Sequence, residues 1–248
     1  MANKLIVGNW KLNPPTLNEA VALASGINYT IKSDDFERMV LLPPFIFLEE
    51  LVKKFKQIVW GAQDVFWEQK GAYTGEVSLP MLKDAGINWV LVGHSERRRI
   101  FGETDEDVNK KVKAGLSDNF NVVMAVGELQ QGDGADEVMG SFKKSAVGLS
   151  SDDLGRLVVA YEPVWAISTT PGARADSPSR SNQIIGELKH TAFKMFGEES
   201  KKIKFLYGGS VVPENAIKFL SQPYIDGALV GGASLNAEEF ASIVSVSR

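Results

Sequence analysis

Residues 89–96 read Trp-Val-Leu-Val-Gly-His-Ser-Glu, the unit from which the architecture is built. Four apolar residues run without alternation, and a polar, helix-like stretch follows directly. A continuous apolar run of strand length marks a strand buried on both faces, as in a parallel sheet covered by helices. Outward from residue 89 the same unit recurs. Toward the N-terminus lie Leu5-Ile6-Val7, Met39-Val40-Leu41-Leu42 and Ile58-Val59-Trp60. Toward the C-terminus lie Val122-Val123-Met124-Ala125-Val126, Leu157-Val158-Val159-Ala160, Ile203-Lys204-Phe205-Leu206 and Ala228-Leu229-Val230. The eight runs have centres about 20–46 residues apart, room each time for one crossover helix.

Helix signals fall in those intervals. Thr16 and Glu19 make a capping-box pattern, with Leu17, Ala20, Val21 and Ala24 following on one face. Thr104 and Asp107 repeat the device before Val108 and Val112, and Asn236 to Glu239 opens a last helix. Pro80 and Pro213 stand where a first helical turn tolerates proline. No helix–helix pair lacking an intervening strand is expected. Eight β-α units in 248 residues predict an α/β fold, a single (β/α)8 barrel domain over residues 1–248, with eight parallel strands and outer helices. The rival doubly wound sheet usually announces a glycine-rich turn after its first strand, and neither that turn nor a P-loop occurs.

Composition narrows the function. The net charge of -4 and the pI of about 5.4 argue against a nucleic-acid partner, which needs a basic surface. The absence of cysteine excludes a disulfide framework, a thiolate nucleophile and a cysteine zinc site. His94 and His190 are the only histidines, so a multi-histidine metal centre is excluded too. The apolar run at the N-terminus is too short for a signal peptide or membrane span, which makes the cytoplasm the default compartment.

In barrels of this type the chemistry sits where strands run out. The residues there are Asn9, Trp10 and Lys11 after strand 1, and His94, Ser95 and Glu96 after strand 4. Glu162 follows strand 6, Gly208, Gly209 and Ser210 follow strand 7, and Gly231 and Gly232 follow strand 8. Each also has a plain reading: Lys11 a solvated lysine, His94 a hydrogen-bonded structural histidine, Glu162 an ion-paired carboxylate, the glycine pairs simple turns. The run Glu96-Arg97-Arg98-Arg99 reads as an exposed or ion-paired helix start, the tryptophans as packing, and His190 as a surface residue. Taken together, the strand ends point to chemistry. Glycine pairs let backbone N–H groups approach an anion, a following helix start adds partial positive charge, and loops 7 and 8 form the usual phosphate site of such barrels. A small phosphorylated substrate is therefore expected. Glu162 is the candidate base, His94 the candidate proton donor or electrophile, and Lys11 the group that neutralises substrate charge or a developing oxyanion. The set calls for no metal and no organic cofactor.

Longer motifs carry a specific resemblance. Residues 8–13 (GNWKLN), 72–78 (AYTGEVS), 92–104 (VGHSERRRIFGET), 161–167 (YEPVWAI), 207–211 (YGGSV) and 226–235 (DGALVGGASL) strongly resemble the triosephosphate isomerase family, from first strand to last helix. The resemblance implies interconversion of dihydroxyacetone phosphate and D-glyceraldehyde 3-phosphate, in glycolysis and gluconeogenesis. It makes Glu162 the base, His94 the electrophile and Lys11 the electrostatic partner, with Asn9 beside it. Phosphate is then held at Ser168, Ser210, Gly231 and Gly232. The family is a known example of a neutral catalytic histidine at a helix start, and the Ser95-Glu96-Arg97 helix start after His94 agrees with it, since the dipole there disfavours an imidazolium.

The resemblance also implies a lid over roughly residues 163–178, mobile without ligand and ordered over bound phosphate. Here the sequence departs from the family: Ser168 stands where the lid tip usually has its first glycine, and the loop is about three residues longer. A second departure is Ala125, where the family usually has cysteine. The loop around Thr74 resembles the one that inserts into a neighbouring subunit near Lys11, which implies a homodimer. Two other functions remain in play. Another phosphosugar barrel enzyme would lack the Asn-Trp-Lys, His-Ser-Glu and Glu-Pro-Val-Trp set, and a non-catalytic scaffold barrel would have lost Lys11, His94 or Glu162.

Overall fold

A computed structural model describes residues 4–128, 135–166 and 176–247. Its strands are β1 (Leu5–Asn9), β2 (Met39–Leu42), β3 (Val59–Trp60), β4 (Trp89–Val92), β5 (Asn121–Glu128), β6 (Leu157–Pro163), β7 (Lys204–Tyr207) and β8 (Gly227–Val230). All neighbours pair in parallel, in the order β3-β2-β1-β8-β7-β6-β5-β4. The gap between β3 and β4 is bridged at Ala62, whose N–H donates to the Trp89 carbonyl and whose carbonyl accepts from Leu91 N–H, both at 2.9 Å. The sheet is thus a nearly closed barrel, as the spacing of the apolar runs predicts.

Closure explains why those runs do not alternate. Side chains on successive strand residues point to opposite faces, and here both faces are dry. Leu5, Val7, Val40, Leu42, Val123, Ala125, Val158 and Ala160 fill one cluster inside the barrel. Their neighbours Ile6, Leu41, Met124, Val159 and Tyr161 belong to a second cluster, against the helices. Each fully buried Val or Leu contributes roughly 1.5–3 kcal/mol, so both registers are strongly fixed.

The helices are α1 (Leu17–Thr30), α2 (Phe45–Lys54), α3 (Leu79–Asp84), α4 (Ser95–Phe101), α5 (Asp105–Ser117), α6 (Ala135–Ser145), α7 (Pro178–Phe196), α8 (Pro213–Leu220) and α9 (Ala237–Ser245). The caps fall as the sequence indicates. Thr16 accepts from Glu19 N–H, Thr104 and Asp107 form a reciprocal capping box, and Asn236 accepts from the N–H groups of Glu238 and Glu239. Pro80 and Pro213 lie in first turns.

Two expectations need correction. α4 and α5 follow one another with no strand between, because Gly102 ends α4 in the left-handed region (φ 73°) and Thr104 immediately caps a new helix. In α1 the buried residues are Ala20, Ala24 and Ile27, while Leu17 stays exposed.

Gly227 on β8 packs tightly against β1. A Cβ at Gly227 would lie 1.9 Å from the Leu5 carbonyl oxygen, a backbone atom that cannot move without opening the barrel. Overpacked cores typically lose about 1–3 kcal/mol. Gly227→Ala is therefore expected to lower the unfolding free energy by about 3 kcal/mol or more, read from urea midpoints, while an exposed substitution such as Tyr29→Ala leaves them nearly unchanged.

Candidate active site

The C-terminal rim of the barrel encloses a cavity of about 240 Å³ that includes Asn9, Lys11, His94, Glu162, Ser210 and Gly232. Gly208, Gly209 and Gly231 also line it. Seven of the eight residues expected at the site therefore meet in one cavity; the eighth, Ser168, lies outside the described residues with the rest of 167–175. A larger cavity of about 490 Å³ touches Glu162 from the side of α4 to α6 but includes neither Lys11 nor His94. The convergent chemistry belongs to the smaller one.

Strand parity delivers two of the candidates. Asn9 and Glu162 continue the inward-facing series of Leu5 and Val7, and of Val158 and Ala160. Glu162 lies within β6, not beyond it, since β5 and β6 pair as far as Glu128 and Pro163. Its carboxylate is buried: Oε2 accepts the Ser95 N–H at 2.8 Å, and Oε1 lies 3.1 Å from His94 Nε2. Gly208 makes room for it, because a Cβ there would sit 2.9 Å from Glu162 Cγ.

His94 is the N-cap of α4, and its Nδ1 accepts the Glu96 N–H at 3.2 Å. A ring nitrogen that accepts a backbone N–H carries no proton, so the ring proton sits on Nε2 and points at Glu162. Lys11 adopts φ 54°, a left-handed conformation rare outside glycine. Such strain persists only where surrounding contacts over-determine it. Here Lys11 N–H donates to Asn9 Oδ1 at 3.0 Å, and Gln63 Nε2 donates to the Lys11 carbonyl at 2.8 Å. Lys11 Nζ pairs with Glu96 Oε1 at 2.7 Å. At Gly232 a Cβ would meet nothing within 4 Å, so packing does not demand glycine there and its bare backbone borders open space.

Glu96, Gln63 and Glu128 take parts that the motif reading did not assign. Glu96 links Lys11 to the His94 turn. Gln63 holds Lys11 from the β3–β4 connection; a lone glutamine carries no periodic signal by which to find it. Glu128, at the end of β5, accepts from Tyr161 Oη at 3.1 Å, Trp165 Nε1 at 3.0 Å and both Nη2 contacts of Arg180 at 2.6 and 2.8 Å. It thereby ties together the two sides of residues 167–175. Burial pushes the Tyr161 phenol well above its ordinary range, so it stays a donor to Glu128. The run after His94 is ion-paired as expected, Arg97 with Asp64 and Arg98 with Asp105, and His190 is exposed.

The sequence profile of the triosephosphate isomerase family matches residues 4–247. The chain belongs to that family. Triosephosphate isomerases of Caldanaerobacter subterraneus subsp. tengcongensis and Thermoanaerobacter pseudethanolicus are 43% and 44% identical over 252 residues, each alignment covering 99% of this chain and 100% of the relative. That of Moorella thermoacetica is 42% identical over 99% of both chains. The triosephosphate isomerase family interconverts dihydroxyacetone phosphate and glyceraldehyde 3-phosphate in glycolysis. Among the described residues, no helix is long and apolar enough to cross a membrane, and no group of three His, Asp or Glu could hold a metal ion.

The Lys11–Glu96 pair has a pH signature. Burial raises the Glu96 carboxyl, but the hydrogen bond and charge of Lys11, with His94 and Arg99 nearby, outweigh burial and hold it below its ordinary 4.5. A carboxyl lowered on folding stabilises the protein fully above that ordinary value and loses the contribution as pH falls toward the folded value. Glu96→Gln should therefore show a shallower loss of stability than wild type on acidification below about pH 4.5, measured by urea midpoints at successive pH values.

Proposed function

We propose that this chain interconverts dihydroxyacetone phosphate and D-glyceraldehyde 3-phosphate by proton transfer through an enediolate, on one barrel domain spanning residues 1–248. The chain is an isomerase by family. The observation that carries the residue roles is the Glu162–His94 pair: a buried carboxylate 3.1 Å from an Nε2 that holds the ring proton. A substrate carbonyl oxygen entering between them takes the Nε2–H hydrogen bond and frees Glu162 to remove a proton from the adjacent carbon. Charge then grows on oxygen, where His94 donates and the Lys11 ammonium attracts it. The hydroxyl proton passes from one substrate oxygen to the other by way of His94 Nε2, and Glu162 returns the carbon-bound proton to the neighbouring carbon, so no net proton is consumed. The substrate phosphate rests on the turns at Ser210, Gly231 and Gly232, with Ser168 as the contribution from the lid. The reaction needs no cofactor, and the cytoplasm is its expected compartment.

The same reading makes the protein a homodimer. Residues 71–76, around Thr74, are all exposed. A cavity of about 420 Å³ beside Lys11 is bordered by Leu12, Ile100 and Phe101, which are 92%, 61% and 68% exposed. Contiguous exposed apolar surface of this kind marks an interface. In a two-fold dimer each Thr74 loop fills the other subunit's cavity, the self-complementary arrangement that cyclic symmetry requires.

A coupled assay of triose phosphate isomerisation tests the reaction. Glu162→Gln is expected to keep the fold and lose about 10²–10⁴-fold in turnover, the usual worth of a positioned base, whereas retention of more than about a third would remove Glu162 from that role. Light scattering at micromolar concentration should give about twice 27.1 kDa; a monomer mass would reject the dimer and the role given to the Thr74 loop.

A further inference from the structure

The way His94 reaches the cavity is not explained by β4 itself. Along β4, Leu91 faces the barrel interior while Val90 and Val92 face the helices. Continued strand parity would turn the next odd residue, Gly93, inward and His94 outward, away from Glu162. Gly93 breaks the parity with φ 72°. The ladder also stops here: Val92 pairs with Met124, and no Gly93–Ala125 rung follows.

Charged side chains replace that rung. Arg98 Nε donates to the Gly93 carbonyl at 2.7 Å, and Arg98 Nη2 donates to the Ala125 carbonyl at 3.1 Å. On the other side, Gly93 N–H donates to Glu103 Oε2 at 3.1 Å. Arg98 is itself aimed by Asp105, whose Oδ1 accepts from Nη1 at 2.7 Å and also from Ser141 on α6 at 2.7 Å. The fit leaves no slack, since a Cβ at Gly93 would lie 2.9 Å from Arg98 Nη2 and 3.0 Å from the Ala125 carbonyl. A planar guanidinium spans two carbonyls and a carboxylate in a fixed fork, which a lysine cannot do.

We propose that Arg98, together with Glu103, is a positioning residue for the isomerisation: the pair clamps the Gly93 peptide and so sets the direction of the His94 imidazole. This deepens the proposed function and rests on it. The phosphate-binding turns lie on the opposite side of the cavity, after β7 and β8, so the clamp governs reactivity and not substrate capture.

The test compares wild type, Arg98→Ala and Arg98→Lys in kcat and KM, with folded fraction and melting temperature measured alongside. Misplacing a catalytic group by about 1 Å can cost on the order of 10²-fold, so Arg98→Ala is expected to lose about 10- to 100-fold in kcat with KM nearly unchanged. Guanidinium at millimolar, sub-denaturing concentration should restore part of the kcat of Arg98→Ala, a rescue that a general loss of stability would not show. The ¹⁵N signals of the His94 ring should also shift in the free variant, as the Nδ1 acceptor bond to Glu96 N–H is lost. Wild-type kcat per folded molecule in Arg98→Ala, or a rise in KM at constant kcat, would reduce Arg98 to a structural ion pair and overturn the proposal. If Arg98→Ala does not fold, Arg98→Lys carries the same comparison, and full kcat there overturns it equally. If wild type itself fails to isomerise triose phosphates, the functional reading falls, and an unchanged His94 ring spectrum in the variant then sinks the clamp independently.

Discussion

A closed parallel sheet satisfies its own backbone everywhere except at its two rims. Along this sheet neighbouring strands pair their N–H and C=O groups, among the described residues Ala62 alone bridging β3 to β4, and both faces are packed with apolar side chains. At the C-terminal rim the pairing runs out while the chain is still partly buried. Unpaired buried amides are costly, so something else must meet them. In this protein polar side chains do: Glu162 meets Ser95 N–H, Glu103 meets Gly93 N–H, Arg98 meets two carbonyls, and Gln63 meets the carbonyls of Lys11 and Leu42. Backbone satisfaction and the assembly of the candidate site are therefore one and the same set of contacts.

The electrostatics of the rim follow from that arrangement. Acidic and basic groups alternate around the cavity, from Glu162 to His94 to Glu96 to Lys11, at separations of 3.1, 3.8 and 2.7 Å. Each charge is held by an opposite partner or a backbone donor, so none is stranded in a low-dielectric wall. A phosphorylated ligand adds negative charge to a cavity whose ammonium is already shared with Glu96. In the proposed reading the backbone turns after β7 and β8 share the phosphate with Lys11.

The buried cluster beneath α4 and α5 supports the rim from outside. Lys111 pairs with both Asp64 and Glu103, and Arg97 reaches the same two carboxylates. Burial pushes the Asp64 carboxyl upward and a second carboxylate adds to this, while Lys111 and Arg97 oppose it. Breaking one member of such a cluster leaves a buried charge without compensation, which is strongly destabilising. This joins the stability of the α4–α5 turn to the geometry of Gly93.

The fold was legible in the sequence because two-sided burial writes itself as uninterrupted apolar runs, and eight of them at crossover spacing admit few architectures. Asn9, Lys11, His94, Glu162, Ser210, Gly231 and Gly232 were legible because they stand directly after those runs, and the family motifs agree. The break between α4 and α5 was missed because Gly102 ends a helix by its φ, not by any change in hydrophobic period. Gln63, Glu128 and the Arg98–Ala125 contact were hidden for a different reason: each joins segments distant in the chain, and periodicity reports only neighbours along it. Which residues arrive at the rim follows from local pattern, since strand ends and strand parity are set along the chain. How they face one another follows from the packing of distant segments. The Gln63 bond to the Lys11 carbonyl, the approach of His94 Nε2 to Glu162 and the Arg98 bond to the Ala125 carbonyl all join strands or loops that meet only once the sheet has formed.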